Sequence, residues 1–153
     1  MDREIKNLQR FYSFQYWPAI KKVKGDLLLV HGYIGTSNNY KPIVKGFPNY
    51  NIYAIDLPGH GGYFIDAKNT EEVEVKVNIE YYAQYVCDFI KASGIKKWYV
   101  IGHSMGGGVV PLVENQLKDY IKKLVLVTPM GPACIANAKT FLFHFLPNKR
   151  TSQ

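Results

Sequence analysis

Residues 100–110 read "VIGHSMGGGVV": an apolar run, a serine set among glycines, and a second apolar run. Ser104 stands two residues from Gly102 and two from Gly106, with His103 and Met105 beside it. A buried strand that turns sharply into a helix reads this way. Glycines on both sides let the chain reverse without Cβ clashes and lift the hydroxyl to the rim of a sheet. A free serine hydroxyl is a poor nucleophile near neutral pH; it needs a base and a place for the developing oxyanion. The turn supplies that place, because the N–H of Met105 opens a helix, where partial positive charge favours an anion.

Outward from this turn, short apolar runs alternate with amphipathic stretches. "YSFQYWPA" (12–19) alternates aromatics with a period of two and reads as an edge strand. "DLLLVHG" (26–32), "NIYAIDLPGHGG" (51–62), "KWYVIGHS" (97–104) and "KKLVLVTP" (122–129) are continuous apolar runs, as expected of strands buried on both faces. A short helix is expected over 38–47, with Tyr40, Ile43, Val44 and Phe47 on one face. A clearer one is expected over 78–93, closed by Gly94, and a third from just after Ser104 to about Leu117. Pro111 falls inside the third and predicts either a kink or a later start. Strands alternating with helices give a mostly parallel α/β sheet with right-handed crossovers. In such sheets ligands bind beyond the carboxyl ends of the strands. His31, Asp56 and Ser104 all fall at such ends and so share one rim.

The chain's 153 residues suffice for one domain, and 47% hydrophobic against 20% charged residues is a globular composition. The net charge of +7 is carried largely by pairs, Lys21/Lys22, Lys96/Lys97, Lys122/Lys123 and Lys149/Arg150, each flanking an apolar run. Such pairs read as solvated strand ends and not as a nucleic-acid stripe; weak attraction to acidic lipid surfaces stays open. Cys87 and Cys134 have neither metal-ligand spacing nor a disulfide framework. The charged N-terminus lacks the apolar core of a signal peptide, and no apolar run reaches the ~20 residues of a membrane span. A cytoplasmic, reducing location is the expectation.

Taken together, these stretches resemble the α/β-hydrolase superfamily, and most its lipase, esterase and lysophospholipase branch. "LLLVHGYIGTSNNY" resembles the strand and oxyanion loop, "IYAIDLPGHGG" the next strand and its loop, "VIGHSMGGG" the nucleophile elbow and "LVLVTP" the strand after the elbow helix. The resemblance implies a carboxylic ester hydrolase that forms an acyl-enzyme at Ser104. The oxyanion hole would be built by the backbone N–H groups of Tyr33 and Met105. It implies a structural role for His31, a place in the loop after the Asp56 strand for His60, and a packing role for His103. No metal or organic cofactor is implied, and the partner is a small ester or lipid, not nucleic acid. Acyltransferases and peptidases share the fold; a dehalogenase would want aspartate at position 104.

In the family the triad runs Ser, Asp or Glu, His along the chain. After "LVLVTP" this sequence reads "MGPACIANAKTFLFHFLPNKRTSQ", with His144 but no Asp or Glu. The expectation is therefore a truncated hydrolase core over 1–130, followed by the start of a lid or a tail over 131–153. The core's last strand would leave an open apolar edge prone to self-association or to pairing with a complementing chain. A chain so built would be weak or inactive on its own. The alternative is a non-catalytic binding or interaction module.

Overall fold

The computed structural model describes residues 2–62 and 78–131. Five strands form one sheet in the order β1-β3-β2-β4-β5, with β1 (Phe14–Trp17), β2 (Gly25–Val30), β3 (Tyr50–Ile55), β4 (Trp98–His103) and β5 (Ile121–Val127). β1 is antiparallel to β3; β2 pairs in parallel with β3 and β4, and β4 with β5. Leu27 through Val30 are all buried, as a strand in the middle of the sheet requires.

The helices are α1 (Asp2–Leu8), α2 (Ile79–Ala92) and α3 (Met105–Gln116). They share one face of the sheet, where Leu8, Val86, Phe89, Ile90, Val109 and Val113 pack against Phe14, Leu28, Val30, Tyr53, Ile55, Trp98 and Val100. α2 begins where expected, its Asn78 side chain accepting the Tyr81 N–H at 2.7 Å, and ends before Gly94, which sits at φ 71°. α3 starts directly after Ser104 and carries Pro111 within its length. Since Pro111 has no N–H, the Gly107 carbonyl receives no helical bond from it.

The helix expected over 38–47 is not formed. Two 3-10 turns, Ser37–Tyr40 and Val44–Gly46, stand in its place. Pro42 has no N–H to offer the Asn38 carbonyl, and Gly46 adds flexibility, so helical spacing of the apolar residues is insufficient. Those residues still serve packing: Tyr40, Val44 and Phe47 cover Leu27, Leu29, Ile52 and Ala54 on the second face of the sheet. α1 was not foreseen, because a short polar segment with only Ile5 and Leu8 facing the core carries little periodic signal. Lys122 and Lys123 lie inside β5 and not beside it, a correction to their reading as a flanking pair. β5 closes the described sheet, with Val125, Leu126 and Val127 41–43% exposed. The lid-like stretch expected from 131 onward, with Cys134 and His144, lies outside the described residues apart from Gly131.

Candidate active site

Ser104 occupies the turn between β4 and α3 with φ 51° and ψ −116°. An L-residue with a Cβ rarely adopts this conformation, which costs on the order of 1–3 kcal/mol and persists only where its surroundings over-determine it. Three hydrogen bonds do so. The Ser104 N–H donates to the Val127 carbonyl at 3.0 Å, and the Ser104 carbonyl accepts from Met130 N–H at 2.8 Å and Gly108 N–H at 3.3 Å. β5 and the residues after it therefore clamp the turn.

Close approach explains the glycines. A Cβ on Gly102 would stand 2.5 Å from the Gly106 carbonyl oxygen, and one on Gly106 would run into the carbonyl oxygens of Val30 and His31. The elbow is thereby pressed against the end of β2. Gly32, just beyond β2, would with a Cβ come within 2.9 Å of the Ser104 Cβ. The first residue past that contact is Tyr33. The Gly35 N–H bonds the Gly32 carbonyl at 2.9 Å and closes a turn with Tyr33 and Ile34 at its centre. Ile34 has φ 61°, a strained setting for a β-branched residue, and is 79% exposed. Met105 is the first residue of α3, so its N–H has no partner one turn back in the helix. The two backbone groups expected to receive an oxyanion thus sit on the two segments that flank Ser104. The Ser104 residue itself is half-buried.

His31 is buried and fully engaged. The Leu57 N–H donates to its Nε2 at 3.0 Å, so Nε2 is the acceptor; Nδ1 then carries the proton and donates to the Gly32 carbonyl at 2.8 Å. Burial pushes its pKa below the usual 6.5, aided by His60 and opposed by the Gly32 carbonyl and Asp56. The ring is a neutral strut between the ends of β2 and β3. Asp56 is likewise committed: Oδ1 accepts the Ser37 N–H at 2.6 Å, and Oδ2 accepts the Ser13 hydroxyl at 2.6 Å and the Gly62 N–H at 3.3 Å. It ties three loops together under the rim. The rim predicted from the sequence is therefore real, but two of its three polar residues hold loops. Among the described residues no histidine hydrogen-bonds the Ser104 hydroxyl.

Tyr33 and Ile34 wall a cavity of about 450 Å³ together with Thr36, Pro58, His60 and Tyr82 among others, and sequence reasoning missed the part that His60 and Tyr82 play in it. The His60 ring stands 5.0 Å from that of His31, 6.4 Å from Tyr33 and 6.0 Å from Tyr82 between centroids. Tyr82 reads in the sequence as one more apolar position of α2; only the fold brings it to this wall. His103, beside the serine, is exposed.

Comparison with known proteins gives a consistent answer. The family model described as "alpha/beta hydrolase fold" matches residues 27–146. A Mycoplasma pneumoniae protein named "Putative esterase/lipase 2" is 33% identical over 116 residues, covering 74% of this chain and 41% of its own length. Its Mycoplasma genitalium namesake is 30% identical over 135 residues, covering 86% and 48%. The solved structure of a marine microorganism esterase superposes with a TM-score of 0.61 at 27% identity, over 75% of this chain and 40% of that one. The chain spans less than half the length of these relatives.

Proposed function

Since the chain belongs to the alpha/beta hydrolase fold family, we propose that it carries the nucleophilic part of a serine hydrolase acting on carboxylic esters. Family and relatives support hydrolase chemistry in general. The observation that carries the finer reading is the strained backbone of Ser104, held at the strand-to-helix turn by three hydrogen bonds. Backbone strain retained at a glycine-flanked strand-to-helix turn supports a positioned nucleophile.

In this reading the Ser104 Oγ attacks the ester carbonyl carbon while its proton passes to a base. The N–H groups of Tyr33 and Met105 hold the oxyanion. Collapse of the tetrahedral intermediate breaks the ester C–O bond, the alcohol leaves with a proton, and water then hydrolyses the acyl-serine. The cavity beside Tyr33 takes a largely apolar group of the ester, since its described lining includes no Asp, Glu, Lys or Arg. Met105 and Met130 extend the apolar rim next to the serine. None of the described residues after Ser104 is a histidine, and His31 is spent on Leu57 and Gly32. In this reading the base and its acid come from outside the described residues. The commitment of His31 also favours one second reading, a binding module that keeps the elbow without the base.

Intact-mass labelling of the purified chain with a fluorophosphonate, with Ser104→Ala as control, tests this. Stoichiometric labelling lost in the variant supports an activated Ser104. A folded sample that is never labelled, and hydrolyses no p-nitrophenyl ester, leaves the binding-module reading.

A further inference from the structure

The parallel sheet has two ends, and among the described residues charge is unevenly shared between them. The described residues that directly leave the strands at the serine end, 31–36, 56–62 and 128–131, include no lysine or arginine. The segments that enter the parallel strands at the opposite end are 18–26, 44–50, 91–98 and 118–123. They hold ten of the chain's nineteen Lys and Arg residues: Lys21, Lys22, Lys24, Lys45, Lys91, Lys96, Lys97, Lys118, Lys122 and Lys123. All ten are exposed. The carboxylates in the same segments are Asp26 and Asp119. One of them, Asp26, accepts a hydrogen bond from the Asn51 amide at 3.0 Å. The positive excess at this end is larger than the net charge of +7 on the whole chain.

Apolar side chains stand among these lysines. In "AIKKVKG" (19–25) Ile20 is 80% and Val23 55% exposed. The loop that carries them is firmly built. Ile20 and Lys21 N–H both donate to the Pro48 carbonyl, at 3.0 and 2.9 Å, and Lys24 N–H donates to the Asn49 carbonyl at 2.7 Å. Ala19 N–H reaches the Asn51 side chain at 3.1 Å, and the Asn49 amide reaches the Lys22 carbonyl at 2.9 Å. A loop pinned this well could have turned its apolar residues inward, yet it holds them out between cations.

We propose that this basic end docks on an anionic lipid bilayer, with Ile20 and Val23 entering the headgroup layer and the lysines facing lipid phosphates and carboxylates. Lysines give attraction to acidic lipid, and adjacent exposed apolar groups distinguish a membrane from a nucleic acid, which offers them nothing to enter. The docked chain holds Ser104 at the far end of β4, about 20 Å from the lipid, by the rise of a six-residue strand.

The test is co-sedimentation of the full chain with vesicles of phosphatidylcholine alone or mixed with phosphatidylserine. Binding is expected only to the mixed vesicles, weakening as salt rises. At roughly fivefold per lysine, K21Q/K22Q/K24Q should lower the partition constant by about a hundredfold. The charge-matched variant K6Q/R10Q/K41Q, altered outside these segments, should lose far less. Ile20→Ser with Val23→Ser should weaken vesicle binding while circular dichroism shows the fold intact. Equal losses in the two charge variants would overturn the proposal. So would displacement by inorganic phosphate beyond that of chloride at equal ionic strength, which would mark a phosphate site. Tighter binding to duplex DNA than to vesicles, indifferent to Ile20 and Val23, would assign the surface to nucleic acid instead.

Discussion

At the scale of single residues, the positive φ of Ser104 has a measurable stability signature. Glycine accepts φ 51° without a Cβ penalty, whereas alanine keeps the Cβ. Ser104→Gly should therefore be more stable than Ser104→Ala by about 1 kcal/mol in urea unfolding. His31 predicts a pH effect. Its folded pKa lies below the unfolded value of 6.5, so the unfolded chain binds the extra proton first. The contribution of the neutral ring is complete above pH 6.5 and is lost as pH falls from there through the folded pKa. Thermal melts of the parent should decline over that window, and His31→Gln should flatten the decline. The serine was legible from its glycines, because steric necessity is written in residue type. The commitment of His31 to Leu57, 26 positions away, was not, since a histidine looks the same in sequence whether it is strut or base.

At the scale of elements, the strands were readable because runs of four to six apolar residues between turn residues have few other stable uses. The stretch 38–47 misled because helical spacing and one-sided packing also suit two tight turns laid over a sheet. The contact of the elbow with β2 could not be read at all, for it depends on how closely two elements approach. That contact is sensitive to a single methyl group. Gly106→Ala would drive a Cβ into the carbonyls of Val30 and His31, backbone groups that cannot swing aside. A loss of at least ~2 kcal/mol is expected by chemical denaturation. Inside α3, Pro111→Ala restores a donor to the Gly107 carbonyl and should stabilise by about 1–3 kcal/mol.

At the scale of the whole described molecule, the fold places the Ser104 rim at one end of the sheet, a basic belt at the other and a partly exposed strand on one side. Val125, Leu126 and Val127 of β5 are partly exposed on that side. Leu126→Lys should reduce self-association in light scattering without lowering the melting temperature by more than a few degrees, since edge charges oppose strand addition. The strand order has a further consequence, which concerns time. β2 pairs on one side with β3, complete by residue 55, and on the other with β4, which begins only at residue 98. A ribosome adding about 5–20 residues per second needs several seconds to cover that interval. For those seconds the most apolar strand of the nascent chain is half-paired, its other edge open to any passing strand. Slower translation across this interval should raise the fraction of newly made protein captured by chaperones or lost to aggregates, even though the finished sheet buries that edge completely.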